Sequence, residues 1–249
     1  MGVLYLALSV VLGAAPATAR AFDMDAAQAA ADPDALYRDR EVPASALAAE
    51  RLWAARLSAD PKDFESAWKL SRVRYWLGTN APGTDAEHKA RLEAGITAGK
   101  TAAALRPDAP DGHFWMAANM GALADAHGLR QGLKYRTPIR EALERARTLQ
   151  PAYLDGSPDR ALGRWYFKVP GLFGGDLAKS ETYLRAALAY NPQSVISLLF
   201  LGDTLAARGK KDEARRVLQA AIDAPADPAW GPEDARFKIE ARQLLASLR

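Results

Sequence analysis

The sequence predicts an all-α protein: a solenoid of helical hairpins with extended connections inside its repeats and a C-terminal capping helix. Three observations carry this reading: a helix-favouring composition, apolar residues that recur at helical spacing, and prolines that close successive segments at near-regular intervals. Hydrophobic residues form 49% of the 249-residue chain, enough apolar surface for a packed core. Ala, Leu, Arg and Glu dominate while β-branched residues are sparse, and the favoured types lose little conformational freedom in a helical turn. No stretch alternates apolar and polar side chains over the length of a strand.

The clearest unit runs from Val195 to Pro225. Leu198, Leu201, Gly202, Leu205, Gly209, Ala214, Leu218 and Ala221 stand at its positions 4, 7, 8, 11, 15, 20, 24 and 27, the signature positions of a tetratricopeptide repeat (TPR). Leu198, Leu201 and Leu205 share one face of a first helix, Gly202 permits close approach of a second, and Ala214, Leu218 and Ala221 make the facing stripe. The preceding unit places Gly175, Leu177, Leu184, Ala187, Tyr190 and Pro192 in register, with Val169–Gly174 interrupting as a long connection. One unit further back ends on Ile139, Leu143, Ala146, Leu149 and Pro151 after a connection read over Gly128–Pro138, its first helix starting near Asp111. Ala102, Leu105 and Pro107 close an earlier unit, whose first helix runs from about Lys62 to Leu77. The closing prolines Pro61, Pro107, Pro151 and Pro192 are 46, 44 and 41 residues apart. A plain TPR has about 34 residues, so the surplus is expected in the connections within each repeat. Pro232–Arg249, with Phe237, Ala241, Leu244, Leu245 and Leu248 on one side, reads as the helix that covers the open end of the stack.

Residues 34–249 therefore form one helical domain, preceded by a signal segment at 1–19 and a flexible segment at 20–33. Met1–Ala15 is apolar and uncharged, and Ala17-x-Ala19 offers the small residues a signal peptidase reads. Its n-region lacks Lys and Arg. A cleaved signal peptide and a periplasmic protein are expected, with an uncleaved N-terminal anchor as the alternative. The segment is short for a span of about 20 residues, and no later stretch approaches one, so the mature chain is expected to carry no membrane span. The chain has no cysteine, which excludes disulfides, thiolate catalysis and a lipid attached through an N-terminal cysteine. Net charge is only +3, without a basic tract, so nucleic acid is not an expected partner. The densest cationic cluster, Lys210, Lys211, Arg215 and Arg216, reads as a solvated helical face.

The stretch Ala161–Asp176, with its Pro170-Gly171 and Gly174-Gly175-Asp176, followed by Tyr183–Leu188 and Asn191-Pro192, resembles the T component associated with TRAP transporters. Asp34–Arg40 and Pro232–Asp234 are similar to it as well. A fainter resemblance, through Leu162–Trp165 and the helix around Trp115, is to the TPR domain of the regulator of microtubule dynamics proteins. The first resemblance implies a periplasmic helical-repeat protein with a hydrophobic pore or cleft. It further implies an apolar or organic-acid ligand and a TRAP solute-binding protein as partner. Members of that family are commonly lipoproteins, a pattern from which this cysteine-free chain departs. The microtubule roles of the second family are not carried over to a chain with an apparent bacterial-type signal.

No enzyme constellation is legible, and no cofactor is expected. His88, His113 and His127 have no metal-ligand spacing. Gly171–Gly175 lacks the Gly-Lys-Ser/Thr ending of a phosphate loop, no serine sits in a nucleophile motif, and Asp176 and Glu181 read as opening a helix. The aromatic residues are more informative. Trp68, Tyr75, Trp76, Phe114, Trp115, Trp165, Tyr166, Phe167 and Phe173 lie on first helices or on the Pro-Gly connection, and in the resembled fold first helices line the concave surface. Trp68 and Tyr166 are expected in the core. Trp115, Trp165, Phe173 and Trp76 are candidates to line a ligand or partner site, with inter-helix core as the alternative for Trp115, Trp165 and Phe173; Arg164 and Lys168 beside them either meet a carboxylate or stay solvated. The alternative is a scaffold that docks a peptide or protein on its concave face with no small ligand.

Overall fold

Eleven α-helices and no strand make up the described residues, 32–248, of this computed structural model. The expected signal peptide at 1–19, and the segment at 20–33 apart from its last two residues, lie outside them. In chain order the helices are α1 Pro33–Arg38, α2 Pro43–Ala59, α3 Phe64–Asn80, α4 Asp85–Leu105, α5 Pro110–Ala126, α6 Gly128–Leu149, α7 Ser157–Lys168, α8 Leu177–Tyr190, α9 Val195–Ala207, α10 Lys211–Asp223 and α11 Gly231–Ser247. Side-chain caps start several of them. Asp63 accepts the Ser66 N–H, Thr84 and Glu87 form a reciprocal capping box, and Asp176 and Ser194 cap α8 and α9.

Successive pairs α3–α4, α5–α6, α7–α8 and α9–α10 are antiparallel hairpins, and α11 packs on both α9 and α10 as the expected end cap. The repeat spacing is visible in their seams. A Cβ on Gly78, Gly163 or Gly202 would stand 2.7, 2.6 or 2.6 Å from Leu92, Leu184 or Leu218 of the partner helix, so glycine there sets how closely each hairpin closes. Leu205, Leu218, Phe237 and Ala241 meet in one continuous cluster that joins the last repeat to the cap.

The surplus residues sit elsewhere than expected in two of the units. In the α3–α4 and α5–α6 hairpins they lengthen the second helices to 21 and 22 residues, against 14 for α8 and 13 for α10. Gly128–Pro138, read from sequence as a connection, is therefore the first half of α6. Pro138 inside that helix removes one ladder bond, to the carbonyl of Lys134. Both residues are exposed, so water can take that acceptor. Only in the α7–α8 hairpin does the surplus form a true connection, Val169–Asp176, with a short 3₁₀ turn at Gly171–Phe173.

Glu181 does not open a helix; it is the buried hub of the last two hairpins. Its carboxylate accepts from Arg185 at 2.9 and 3.0 Å, from Lys210 at 2.9 and 3.0 Å, and from Arg208. Burial works against its ionisation, but the bonds from Lys210 and Arg185 and the charge of Arg208 outweigh it and hold the carboxyl below its usual range. Because the folded state favours the ionised form, this stabilisation is complete above the ordinary value of 4.5 and fades as pH falls below it. Glu181→Gln is expected to cost about 1–2 kcal/mol near neutral pH. In urea titrations the gap from the unmodified chain should close below pH 4; a gap independent of pH would exclude this role.

Candidate functional site

The first helices α3, α5, α7 and α9 and the cap α11 pack one on the next and together form the inner wall of the stack. Its foundation is polar as well as apolar. Asn119 on α5 is fully buried and donates to the Ser71 and Trp115 carbonyls at 3.0 and 2.8 Å, while Ser71 donates to the Gly95 carbonyl at 2.8 Å, tying α3, α4 and α5 together. Above that node Tyr75 and Trp115 have ring centroids 5.8 Å apart, and Phe114 stands edge-on to Trp115 at 5.1 Å. Further along the wall Arg164 pairs with Asp203 at 2.7 Å and covers the Phe200 ring at 4.5 Å.

The six residues singled out from sequence fall in separate places. Trp115 is part of the central core. Trp165 is buried with its indole N–H donating to the Arg136 carbonyl at 3.0 Å, which anchors α6 to α7. Trp76 is buried beside the cap helix. Arg164 and Lys168 each bind an acid of a neighbouring helix, Asp203 at 2.7 Å and Asp125 at 2.8 Å. Phe173 stands partly exposed under the Arg136 guanidinium, 5.4 Å away. These residues are not gathered around one hollow: of the six, only Trp76 borders either of two surface hollows. One, about 610 Å³, opens between α4, α5 and α6 and is lined by Lys100, His113, Met116, Met120, Tyr135 and Arg145. The other, about 430 Å³, runs beside Trp76, Asn80, Gly231 and Pro232. Among the described residues no group of three or more His, Asp or Glu side chains is placed to share a metal ion.

Sequence reasoning missed the feature that dominates the inner wall. The chain closes on itself there. Arg40, in the turn between α1 and α2, forms a buried two-bonded ion pair with Glu233 at 2.6 and 3.0 Å and donates to the Ala229 carbonyl at 2.7 Å. Arg236 of the cap donates to Asn80 at the end of α3 at 2.8 Å. Just before Glu233 in the chain, the partly buried Trp230 packs on the central core cluster with Arg160 of α7 at 5.8 Å from its ring. Arg160 is only 8% exposed, and burial pushes its pKa down to about 10. Nearby, burial raises the Asp234 carboxyl and pushes the Tyr37 hydroxyl up to about 12. No local spacing announces contacts between residues 193 apart. The readable signal was an aromatic residue inside a Pro/Ala-rich connection, Pro225-Ala-Asp-Pro-Ala-Trp230.

The outer feature is the Val169–Asp176 connection. Leu172 at its tip is 90% exposed and Phe173 36%. Leu133, also exposed, lies three residues before Arg136 on α6 and so shares the helical face that meets Phe173. The Arg136 guanidinium stands over this apolar tip, 5.4 Å from the Phe173 ring. No helix among the described residues is long and apolar enough to cross a membrane.

Comparison with known proteins agrees with this architecture. Residues 174–231 match the tetratricopeptide repeat, and no curated protein matches the chain. Among solved structures the chain is similar to a thermophilic TPR protein from Thermus thermophilus, TTC0263, at 22% identity and a TM-score of 0.63, over 86% of this chain and 97% of that one. It is also similar to MamA, at 15% identity and a TM-score of 0.50 over 81% and 95% of the two chains. A MamA RS-1 ArsTM double mutant gives 16% and 0.52 over 78% and 95%. Those likenesses concern the fold. Residues 30–172, more than half of the sequence, match the family described as regulator of microtubule dynamics protein 1-3, and the chain belongs to that family.

Proposed function

We propose that this TPR protein docks a protein partner through the Leu172–Phe173 tip and the adjoining face of α6. The observation that carries the reading is a large apolar side chain held out on an ordered turn. A leucine 90% exposed, next to a half-exposed phenylalanine, gains about 1.5–3 kcal/mol when a partner covers it. The Arg136 guanidinium over Phe173 favours a partner segment that mixes apolar side chains with acids. The TPR fold supports a protein partner, because such stacks act through extended surfaces and not through a catalytic centre.

The test places a photo-crosslinking residue at position 171, beside the tip and facing open space, and compares the unmodified chain with Leu172→Ser/Phe173→Ser. A protein captured by the first should be lost from the second, and its purified form should bind at least tenfold more weakly to the double variant. Equal capture and equal affinity would sink the proposal. Within the same reading, Met1–Ala19 acts as an export signal and a TRAP solute-binding protein is the first partner to try, given the likeness of Ala161–Asp176 to the T component. N-terminal sequencing of the protein from its own host should begin at Arg20; recovery of Met1 would overturn the export step.

A further inference from the structure

The second helices α4 and α6 pack on the two flanks of α5 and scarcely touch each other, which leaves a strip of α5 uncovered between them. The open trough of about 610 Å³ follows that strip. Its floor is apolar: Met116 and Met120, one turn apart on α5, with Tyr135 and Ala142 of α6 beside them. Methionine is unbranched and polarisable, so such a floor adapts to whatever covers it. The α6 wall extends from Lys134 to Arg145, about 16 Å of helix. Lys134 and Tyr135 belong to the turns by which α6, at 22 residues, exceeds α8 and α10, at 14 and 13. The trough is therefore a product of the surplus residues and not of the repeat itself.

The rim is mainly cationic, and at both ends. At one end Arg145 donates to the Pro107 carbonyl at 3.1 Å, and His113 Nε2 lies 3.2 Å from the same oxygen. At the other, the Lys134 ammonium stands 4.7 Å from the Tyr135 ring centre, and Lys100 borders the trough from α4. Lys100, Lys134 and Arg145 are exposed, and none has a carboxylate at ion-pair distance among the described residues. Two other arginines of α6 are paired, Arg140 with Glu144 and Arg147 with Asp159. Glu141 is the one acid of the lining.

We propose that this trough docks an amphipathic helix of a partner protein, with apolar side chains on the methionine floor and acids that reach Lys134 and Arg145. A helix lying along α6 rises at the same rate as α6. Acids about eleven positions apart on one of its faces therefore stand opposite the two cations. Side chains four and seven positions after the first acid share that face and fall between them, over the floor. A basic helix meets like charge there, and a wholly apolar one leaves the rim cations without acids. The trough lies on the side of α6 turned away from Arg136 and Phe173. The inference therefore does not rest on the Leu172–Phe173 tip, and Leu172→Ser/Phe173→Ser leaves the trough intact.

A helix-stapled, fluorescein-labelled peptide built to this pattern, with glutamates as the acids and leucines as the apolar side chains, tests it on the full chain. A second peptide has lysine in place of the glutamates, and a third has serine in place of the leucines. The unmodified chain should bind the first at least tenfold more tightly than either of the others. Lys134→Glu/Arg145→Glu, which removes no ion pair of the described residues, should invert the preference between the first and second peptides. Equal binding of the three peptides, no binding of the first, or a preference that a charge-reversed protein of unchanged helix content fails to invert overturns the proposal. A measurement on the unmodified chain covers the case in which that variant unfolds. With methionine labelled at its ε-methyl, the first peptide should shift the NMR signals of Met116 and Met120 and leave that of Met24 in place. Binding that moves neither floor signal overturns the assignment to this trough. Phosphatidylglycerol vesicles that sediment the unmodified chain and shift the same two signals, where the first peptide does not, would make the trough a lipid site and also overturn it.

Discussion

Arg40→Ala is expected to lower the free energy of unfolding by about 3 kcal/mol, because it leaves the Glu233 carboxylate buried with its counter-charge gone. The pair is almost fully enclosed, with 5% and 10% of the two side chains exposed, and its geometry is two-bonded at 2.6 and 3.0 Å. Both features separate it from the surface pairs of this protein, such as Arg215–Asp212 with its carboxylate 87% exposed, for which about 0–1 kcal/mol is typical. The loss has a ceiling: it cannot exceed the free energy of detaching α11 and the segment before it from the rest of the stack. Glu233→Ala should cost a similar amount, and the double variant should cost clearly less than the two single losses added, which urea denaturation of all four proteins would show. Additive losses would mean that the two residues do not act as a pair.

Gly95→Ala is expected to be as damaging, by about 3 kcal/mol. A Cβ there would stand 2.1 Å from the Asn119 amide oxygen and 2.5 Å from its carbon. A flexible neighbour could swing aside, but Asn119 is fully buried and held by bonds to Ser71 and Trp115, so its retreat breaks the junction of three helices. Asn119→Ala vacates the space at a smaller cost. In that background Gly95→Ala should add almost nothing, and thermal melts of the two single variants and the double would reveal the difference. A Gly95→Ala protein that melts with the unmodified chain would refute the crowding argument.

Legibility from sequence tracked the range of the interaction. Leu198, Leu201, Gly202, Ala214 and Leu218 mark their hairpin because helix periodicity and the seam between adjacent helices are set by residues a few turns apart. The cap helix was readable for the same reason, through Phe237, Ala241 and Leu245. The lengthened second helices were misassigned because Gly128, Gly132 and Pro138 weaken a helix locally. In the structure, packing through Tyr135 and Ile139 to the central core outweighs those residues. Of the candidate site residues, Phe173 lies on an exposed tip, whereas Trp115 and Trp165 are core residues whose burial depends on which helix lies opposite. The same holds for Arg164 and Lys168, whose acids Asp203 and Asp125 are 39 and 43 residues away in sequence.

By itself, then, the sequence determined the all-helical class, the hairpin repeat and the terminal cap, since each follows from side-chain periodicity and short-range sterics. The closure of the stack by Arg40 and Glu233, the packing of Trp230 on the central core, and the Glu181 hub were decided only by the tertiary structure. These depend on charges and rings that meet after the helices have stacked, and the accumulated small rotations of successive hairpins, not any local pattern, bring the two ends of the chain into reach.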